Sequence, residues 1–289
     1  MKNRYILITS ARNEADFIED TIKSVISQTI LPITWIIVND HSIDRTEEII
    51  RKYMNDYSFI RLLNLEGNFQ RNFASKVFAI KKAFDVVKDL SFEFIGILDA
   101  DITFQNNYYE LIMEEFGKDQ KLGIAGGGFF DIYDNKKFKI PYSPYMVRGA
   151  VQLFRRECYE NIGGFLPLQW GGEDTIACAT ARMNGWKINT FEELSVLHHR
   201  KTGSVGENLV QINIHLGKRD YHRGLIPLAQ LSKSLSRIKE RPFLLGSILQ
   251  IFGYWTSKLK GEKLILDENL IEFIKREQKK RIKDYLGIN

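Results

Sequence analysis

Phe94-Ile95-Gly96-Ile97-Leu98 runs straight into Asp99-Ala100-Asp101, and this junction decides the fold. An unbroken apolar run of that length predicts a strand buried on both faces, the kind found in parallel sheets. Two carboxylates two positions apart at its end point to the same side, where one cation can take both. Hard oxygen ligands of this sort suit magnesium or manganese, which also accept substrate phosphate oxygens. Taken alone, the pair is equally well a capped turn with two solvated aspartates.

Toward the N-terminus the same unit, apolar run then helical stripe, repeats. Residues 5–9 read as a strand, followed at helical spacing by Ile18, Ile22, Val25 and Ile26. Residues 35–38 form a second buried strand, and Ile49, Ile50 and Tyr53 mark a helix entered past the N-cap candidates Asp44 and Thr46. Residues 59–65 give a third strand, and Val77, Ile80, Phe84 and Val87 a third helix. Strands alternating with helices predict an α/β fold with a doubly wound, mostly parallel sheet and helices on both faces. Ligands of such sheets bind beyond the carboxyl ends of the strands. Asn13-Glu14, Asp40 and Asp99 to Asp101 all fall at such ends.

Beyond this region the alternation loosens. Residues 122–130 read as a strand containing Gly126, Gly127 and Gly128; a helix begins at Glu173 or Asp174 and stops at Gly185; residues 186–190 read as a short strand, followed by a loop through Ser195. From about Asn208 the chain turns helical, with segments at 225–238, 243–259 and 266–286. This divides it into a catalytic body, 1–207, and a C-terminal helical extension, 208–289.

Composition agrees with a globular protein: 289 residues, 44% hydrophobic and 27% charged. The net charge of +5 would suit a nucleic acid, an anionic membrane face or a phosphate-bearing small molecule; it crowds into Lys275, Arg276, Lys279, Lys280, Arg281 and Lys283, a basic tail on a near-neutral body, and no nucleic-acid partner is expected. Cys158 and Cys178 lack CxxC spacing, which excludes a zinc knuckle and points to a reducing cytoplasm. Residues 1–13 enter a strand without a signal-peptide pattern. The uncharged stretch 242–257 falls short of the roughly 20 apolar residues of a spanning helix.

Two further loops carry chemistry. Thr9-Ser10-Ala11-Arg12-Asn13-Glu14 follows the first strand; its small residues let a ligand approach the backbone, and Arg12 offers a fixed cation. Val38-Asn39-Asp40-His41-Ser42-Ile43-Asp44-Arg45-Thr46 follows the second; Asp44 and Thr46 are explained by the turn alone, Asp40 less well. Together with Asp99-Ala100-Asp101, these loops resemble, in order and spacing, the motifs of the family 2 glycosyltransferases, whose fold is named GT-A. The resemblance covers about two thirds of the chain, residues 5–204. Asn39 and His41 depart from the family pattern, where an acidic residue and a glycine stand.

The resemblance implies an inverting transfer of a sugar from a nucleoside-diphosphate donor, UDP-linked by preference, to a hydroxyl of a glycan or lipid-linked glycan. It implies a nucleotide-binding half, 1–104, and an acceptor-binding half, 105–207. Ser10, Arg12, Glu14, Asp40 and Asp99 would face the donor, with Asp40 on the base and Asp99 shared with the ribose; Asp101, with Asp99, would hold Mg2+ or Mn2+. Arg71, in the polar loop 67–72, would reach a phosphate. Trp170-Gly171-Gly172-Glu173-Asp174 looks like the acceptor-side motif, which makes Asp174 the general base and Trp170, Gly172 and Glu173 acceptor contacts. His198 or His199 would complete the metal shell, and Arg200 and Lys201 suit a diphosphate leaving group.

In the extension, residues 243–255 are too apolar for a freely exposed helix and are flanked by Lys239, Arg241, Lys258 and Lys260. Such a helix reads as lying in a membrane surface, peripheral on its inner face, or as packed on the body or on a second subunit of an oligomer. Two other functions fit this sequence less well. A nucleotidyltransferase needs a glycine-rich, lysine-bearing loop after strand one, and residues 9–14 hold neither residue. A catalytically silent glycan-binding protein would not require Asp99, Asp101 and Asp174.

Overall fold

The computed structural model describes residues 4–66, 74–200, 208–238 and 243–287. The chain forms two compact units, one of residues 1–167 and 173–202, the other of 168–172 and 203–289.

The first unit opens with β1 (Tyr5–Ala11), α1 (Ile18–Ile26), β2 (Thr34–Asn39), α2 (Thr46–Asp56), β3 (Ile60–Asn64), α3 (Ser75–Val87) and β4 (Phe94–Leu98). Strands β3, β2, β1 and β4 lie side by side in parallel, with Ile8 opposite both Ile36 and Ile97. Successive strand side chains point to opposite faces, so each strand feeds two cores. Tyr5, Leu7, Trp35 and Ile37 pack with Ile18, Ile22 and Val25 of α1. Ile6, Ile8, Ile36 and Val38 pack with Val77, Ile80 and Ala83 of α3. This is the doubly wound half expected from the sequence.

The second half of the sheet departs from that expectation. After β5 (Ile102–Phe104) and α4 (Tyr108–Lys118) come β6 (Leu122–Tyr133), β7 (Lys136–Lys139), β8 (Val151–Arg155), α5 (Arg156–Asn161), α6 (Glu173–Met183) and β9 (Lys187–His198). The sheet runs in the order β3-β2-β1-β4-β8-β6-β9-β5, with β7 on β6. Strand β8 is antiparallel to both β4 and β6, and β5 antiparallel to β9, while β6 and β9 are parallel. The result is a mixed, mostly parallel sheet. Arg155, buried at the end of β8, donates to the carbonyls of Phe116, Asp119 and Leu122 and closes this half from below. Cys158 and Cys178 are buried in the core and form no disulfide.

One boundary needs correction. The short strand 186–190 and the loop after it are a single strand, β9, that continues to His198. Its pairing with β6 slips between Gly127 and Gly128, where the partner jumps from Phe191 to Ser195. The extra residues bulge out, which breaks the alternation a sequence reading relies on. In consequence His198 sits at a strand end rather than in a loop.

The second unit holds α7 (Leu209–His222), α8 (Pro227–Ser236), α9 (Phe243–Leu259) and α10 (Glu268–Leu286). Helix α8 begins at Pro227 rather than at Leu225, because proline fits the first helical turn and not the interior. Helix α7 was not delimited from sequence, since its buried residues are Asn213, Gly217 and Asp220 and no apolar stripe marks it.

Candidate donor and transfer site

The loops after β1 and β2 are laced to each other. Asn13 and His41 adopt left-handed backbone conformations, φ 56° and 57°, which asparagine and histidine tolerate better than bulky residues do. The Asn13 side-chain oxygen accepts from the Ile43 amide at 2.9 Å, the Ser42 hydroxyl from the Asn13 amide at 3.1 Å, and the Thr46 hydroxyl from the Glu14 amide at 2.8 Å. Asp44 accepts from the amides of Ala15 and Thr46, so it ties the loops as well as starting α2. Asn39 is consumed by this scaffold: its amide donates to Glu47 and Asn64, and its oxygen accepts from the Ser42 amide. Both ends of its side chain are thus engaged within the scaffold. Asp40 is 5% exposed and lies between His41 Nδ1, at 2.9 Å, and the Arg12 guanidinium, at 3.6 Å. Ser10, half-buried, pairs in register with Val38 at the same sheet edge. Arg71 lies outside the described residues.

At the end of β4, Asp99 accepts a 2.5 Å bond from Lys76 Nζ, at the start of α3. Asp101, 4% exposed, faces His198 Nε2 at 3.1 Å and the Arg200 guanidinium, which also pairs with Glu14. His198 Nδ1 is bonded at 2.8 Å to Asp131 on β6, a buried carboxylate that sequence reasoning missed. The two histidines separate cleanly: His199 turns its Nε2 to the Thr103 hydroxyl at 2.8 Å. Because Ile102 is opposite His198 and side chains alternate, the adjacent His199 shares the other face with Thr103.

On the acceptor side, Asp174 in the first turn of α6 accepts from the Gly149 amide at 3.2 Å and from the Thr175 amide at 2.7 Å. Gly149 is packed so closely under it that a Cβ there would meet the Asp174 Cβ at 2.7 Å. Trp170 and Gly172 belong to the second unit. There the Trp170 ring lies against His215 and carries Lys218 Nζ at 4.6 Å, and Gly172 has φ 96°.

Charge is dense at this edge. Burial drives the Glu14 carboxyl up, Arg200 opposes it and Asp101 adds to it, leaving Glu14 at about 7. Burial and the adjacent Asp174 raise Glu173. Burial pulls the Lys76 ammonium down, but Asp99, Glu173 and Asp174 outweigh it and hold the ammonium above the ordinary lysine range. Burial likewise opposes ionisation of His198 and Asp101, yet their mutual bond, with Asp131 behind the ring, raises the histidine and lowers the aspartate.

Among the described residues no three carboxylate, imidazole or thiol groups converge as a ready metal shell. The donor chemistry nevertheless fits a hard divalent cation: a buried carboxylate, Asp101, faces an imidazole whose far nitrogen is held by a second carboxylate, the arrangement that orients metal-binding histidines.

The sequence profile of glycosyl transferase family 2 matches residues 6–181. The chain is 32% identical over 115 residues to a poly-beta-1,6-N-acetyl-D-glucosamine synthase of Staphylococcus epidermidis, a stretch covering 40% of this chain and 26% of the relative. It is equally similar over 117 residues to the synthase of that name from Staphylococcus aureus, again spanning 26% of it. The mannosyltransferase PcManGT of Pyrobaculum calidifontis, solved with GDP-Man and Mn2+, has a similar fold, with TM-score 0.60, 14% identity, and 90% and 88% of the two chains covered. So does S. aureus TarS 1–349 with UDP-GlcNAc, with TM-score 0.57, 14% identity, and 91% and 94% covered. The chain spans about a quarter of the length of these staphylococcal relatives, and the profile match over more than half the chain, with the GT-A fold, establishes that this protein belongs to glycosyl transferase family 2.

Proposed function

We propose that the chain moves one sugar from a nucleoside-diphosphate donor to a hydroxyl of a glycan or lipid-linked glycan, by a single displacement with inversion. The observation that carries this reading is Lys76, whose ammonium bonds Asp99 and interacts with Glu173 and Asp174. It links the acidic motif after β4 to the carboxylates that open α6. Residues 1–104 act as the nucleotide half, 105–207 as the acceptor half, and 208–289 as an appended module. A UDP-sugar is favoured because TarS was solved with UDP-GlcNAc and the staphylococcal relatives are named for N-acetyl-glucosamine polymers.

In this mechanism Asp40 takes the nucleobase, with Arg12 fixing its carboxylate, and Ser10, Glu14 and Asp99 line the path of the ribose and diphosphate. Asp101 and His198 would hold Mg2+ or Mn2+, a role left to neither His199 nor Asp131; the ion supplies positive charge against the diphosphate. Glu173 takes the acceptor. Asp174 removes the proton of the acceptor hydroxyl as that oxygen bonds to the anomeric carbon. The bond from that carbon to the diphosphate oxygen breaks, and the nucleoside diphosphate leaves with the electron pair. Lys76 and Arg200 offset the charge that grows on it. Gly149 and Thr175 aim Asp174 through their backbone amides.

Asp174→Asn tests the assignment. Transfer should fall by roughly 10²–10⁴-fold, while binding of a UDP-sugar with manganese, followed by thermal shift, stays within about twofold of the parent. Retained turnover with lost donor binding overturns it. The same thermal-shift format, run with UDP-, GDP- and dTDP-sugars, identifies the donor.

A further inference from the structure

Two helices of the second unit are built the wrong way round for water. On α9 the buried stripe is Gly246, Ser247, Gln250, Gly253, Tyr254 and Ser257, small or polar at nearly every position. The exposed stripe is Leu245, Ile248, Phe252, Trp255 and Leu259. Helix α8 repeats the inversion, burying Gln230 and Ser234 while exposing Leu228, Leu231 and Leu235. Helix α10, in the same unit, obeys the usual rule: Leu270 and Ile274 are buried, and Lys275, Arg276, Lys279 and Lys280 face outward. Helix α7 buries Asn213, Gly217 and Asp220 and leaves Leu209 and Val210 exposed, so α10 stands apart from the other described helices of this unit.

What holds these helices together is also unusual for a water-soluble bundle. Gln250 donates to Asn213 at 2.8 Å, Gln230 to Ser234 at 2.9 Å, Ser247 to the Ser234 carbonyl at 2.6 Å, and Lys233 to buried Asp220 at 2.5 Å. Where α7 crosses α9, Gly217 and Gly253 bring the backbones together, and a Cβ on either would run into the carbonyl of Gln250 or Ile214. Small residues at the crossing, polar side chains as glue and apolar residues outside are the packing rules of helices whose surroundings are lipid.

No described helix is long and apolar enough to cross a membrane. Helix α9 spans 17 residues, carries Lys258 in its last turn and is followed by Lys260 and Lys263, with Lys258 Nζ 4.6 Å over the Trp255 ring. Between Gly203 and Asn289 sixteen lysines and arginines stand against nine aspartates and glutamates. A tryptophan and lysines at the end of an apolar helix suit the boundary between acyl chains and headgroups, and the surplus cations suit anionic headgroups.

From this inversion we infer that the apolar faces of α8 and α9 are an interaction surface for an anionic lipid bilayer, into whose interfacial layer the C-terminal unit sinks without spanning it. The surface stands independently of the sugar chemistry, because binding is read without turnover. The full chain is floated with phosphatidylcholine vesicles, alone or mixed with phosphatidylglycerol. The unaltered protein should rise with the anionic vesicles, less so as salt is added, and Leu245→Gln/Ile248→Gln/Phe252→Gln should weaken this roughly tenfold or more at unchanged Tm. Failure to bind either vesicle overturns the inference, as does a variant that binds like the parent. So does a dimer by light scattering that the triple variant breaks and vesicles do not, since a second copy would then cover the face. Should the variant lose its fold, brominated-lipid quenching of Trp255 in the unaltered chain, referenced to Trp255→Phe, decides: quenching that disappears with Trp255 upholds it, and no quenching sinks it.

Discussion

Gly149→Ala puts the placement of the proposed base to a quantitative test. The added methyl would lie 2.7 Å from the Asp174 Cβ and 3.0 Å from its Oδ2, whereas ordinary contact begins at 3.4 Å. Gly149 is not in a left-handed conformation, so alanine fits the backbone and the strain falls on the contact. Relief requires Asp174 to withdraw by about 0.7 Å, which also stretches its 3.2 Å bond from the Gly149 amide. A displacement approaching 1 Å at a reacting group costs up to about 10²-fold, so kcat should fall roughly 10–100-fold, equivalent to about 1.4–2.7 kcal/mol of barrier. Overpacking costs roughly 1–3 kcal/mol of stability, seen as a Tm lowered by a few degrees. The assay is steady-state release of nucleoside diphosphate at saturating donor and acceptor, with donor affinity measured separately. An unchanged kcat in a folded variant, or a loss of donor affinity as large as the loss of kcat, would refute Asp174 as a positioned base.

Other perturbations separate the remaining roles. His198→Ala and Asp131→Asn should each weaken activation by manganese by roughly 10–100-fold, whereas His199→Ala, which removes a ring bonded to Thr103 and keeps the backbone bond to Asp101, should leave it within about threefold; a manganese titration of donor binding checks this. Lys233→Met leaves Asp220 buried without its cation and should cost about 3–5 kcal/mol in urea unfolding, most of it recovered by adding Asp220→Asn. Glu14 titrates at about 7 in the fold against an ordinary 4.5. The folded state therefore binds that proton more tightly, and the stability it contributes, fully present below pH 4.5, is lost as pH rises through 7. The loss is about 3 kcal/mol; melting at a series of pH values should show the decline, and Glu14→Gln should remove it.

The parallel half of the sheet was readable because its strands are continuous apolar runs and its helices carry apolar stripes; β4 begins and ends where the sequence reading put it. The antiparallel return through β8 was not, since Val151–Arg155 looks the same whichever way it runs. Phe191 to Leu194 hid the continuation of β9 behind a bulge, and with it the strand-end position of His198. Lys76 and Asp131 were passed over because neither lies in a motif; yet Asp131, a charged residue inside a strand otherwise rich in glycine and phenylalanine, carried a usable signal. Gly149 carried none, as its importance lies in a neighbour 25 positions away. The order of α7 to α10 was partly legible, but that α8 and α9 turn their polar sides inward was not, because periodicity reports that two faces differ and not which faces in.

The lacing of the loops after β1 and β2 bears on how a nucleotide would arrive. Five side-chain-to-amide bonds and two left-handed residues already fix the backbone on either side of Asp40 before anything binds. Ordering a free loop costs about 1–2 kcal/mol per residue in conformational entropy, and here folding has met that cost. A ligand docking at this edge would meet a preorganised cradle, so none of its contact energy would be spent on ordering these loops. Substitutions such as Ser42→Ala or Asn13→Gly, far from any transferred atom, would therefore surface as slower, weaker association rather than as slower chemistry.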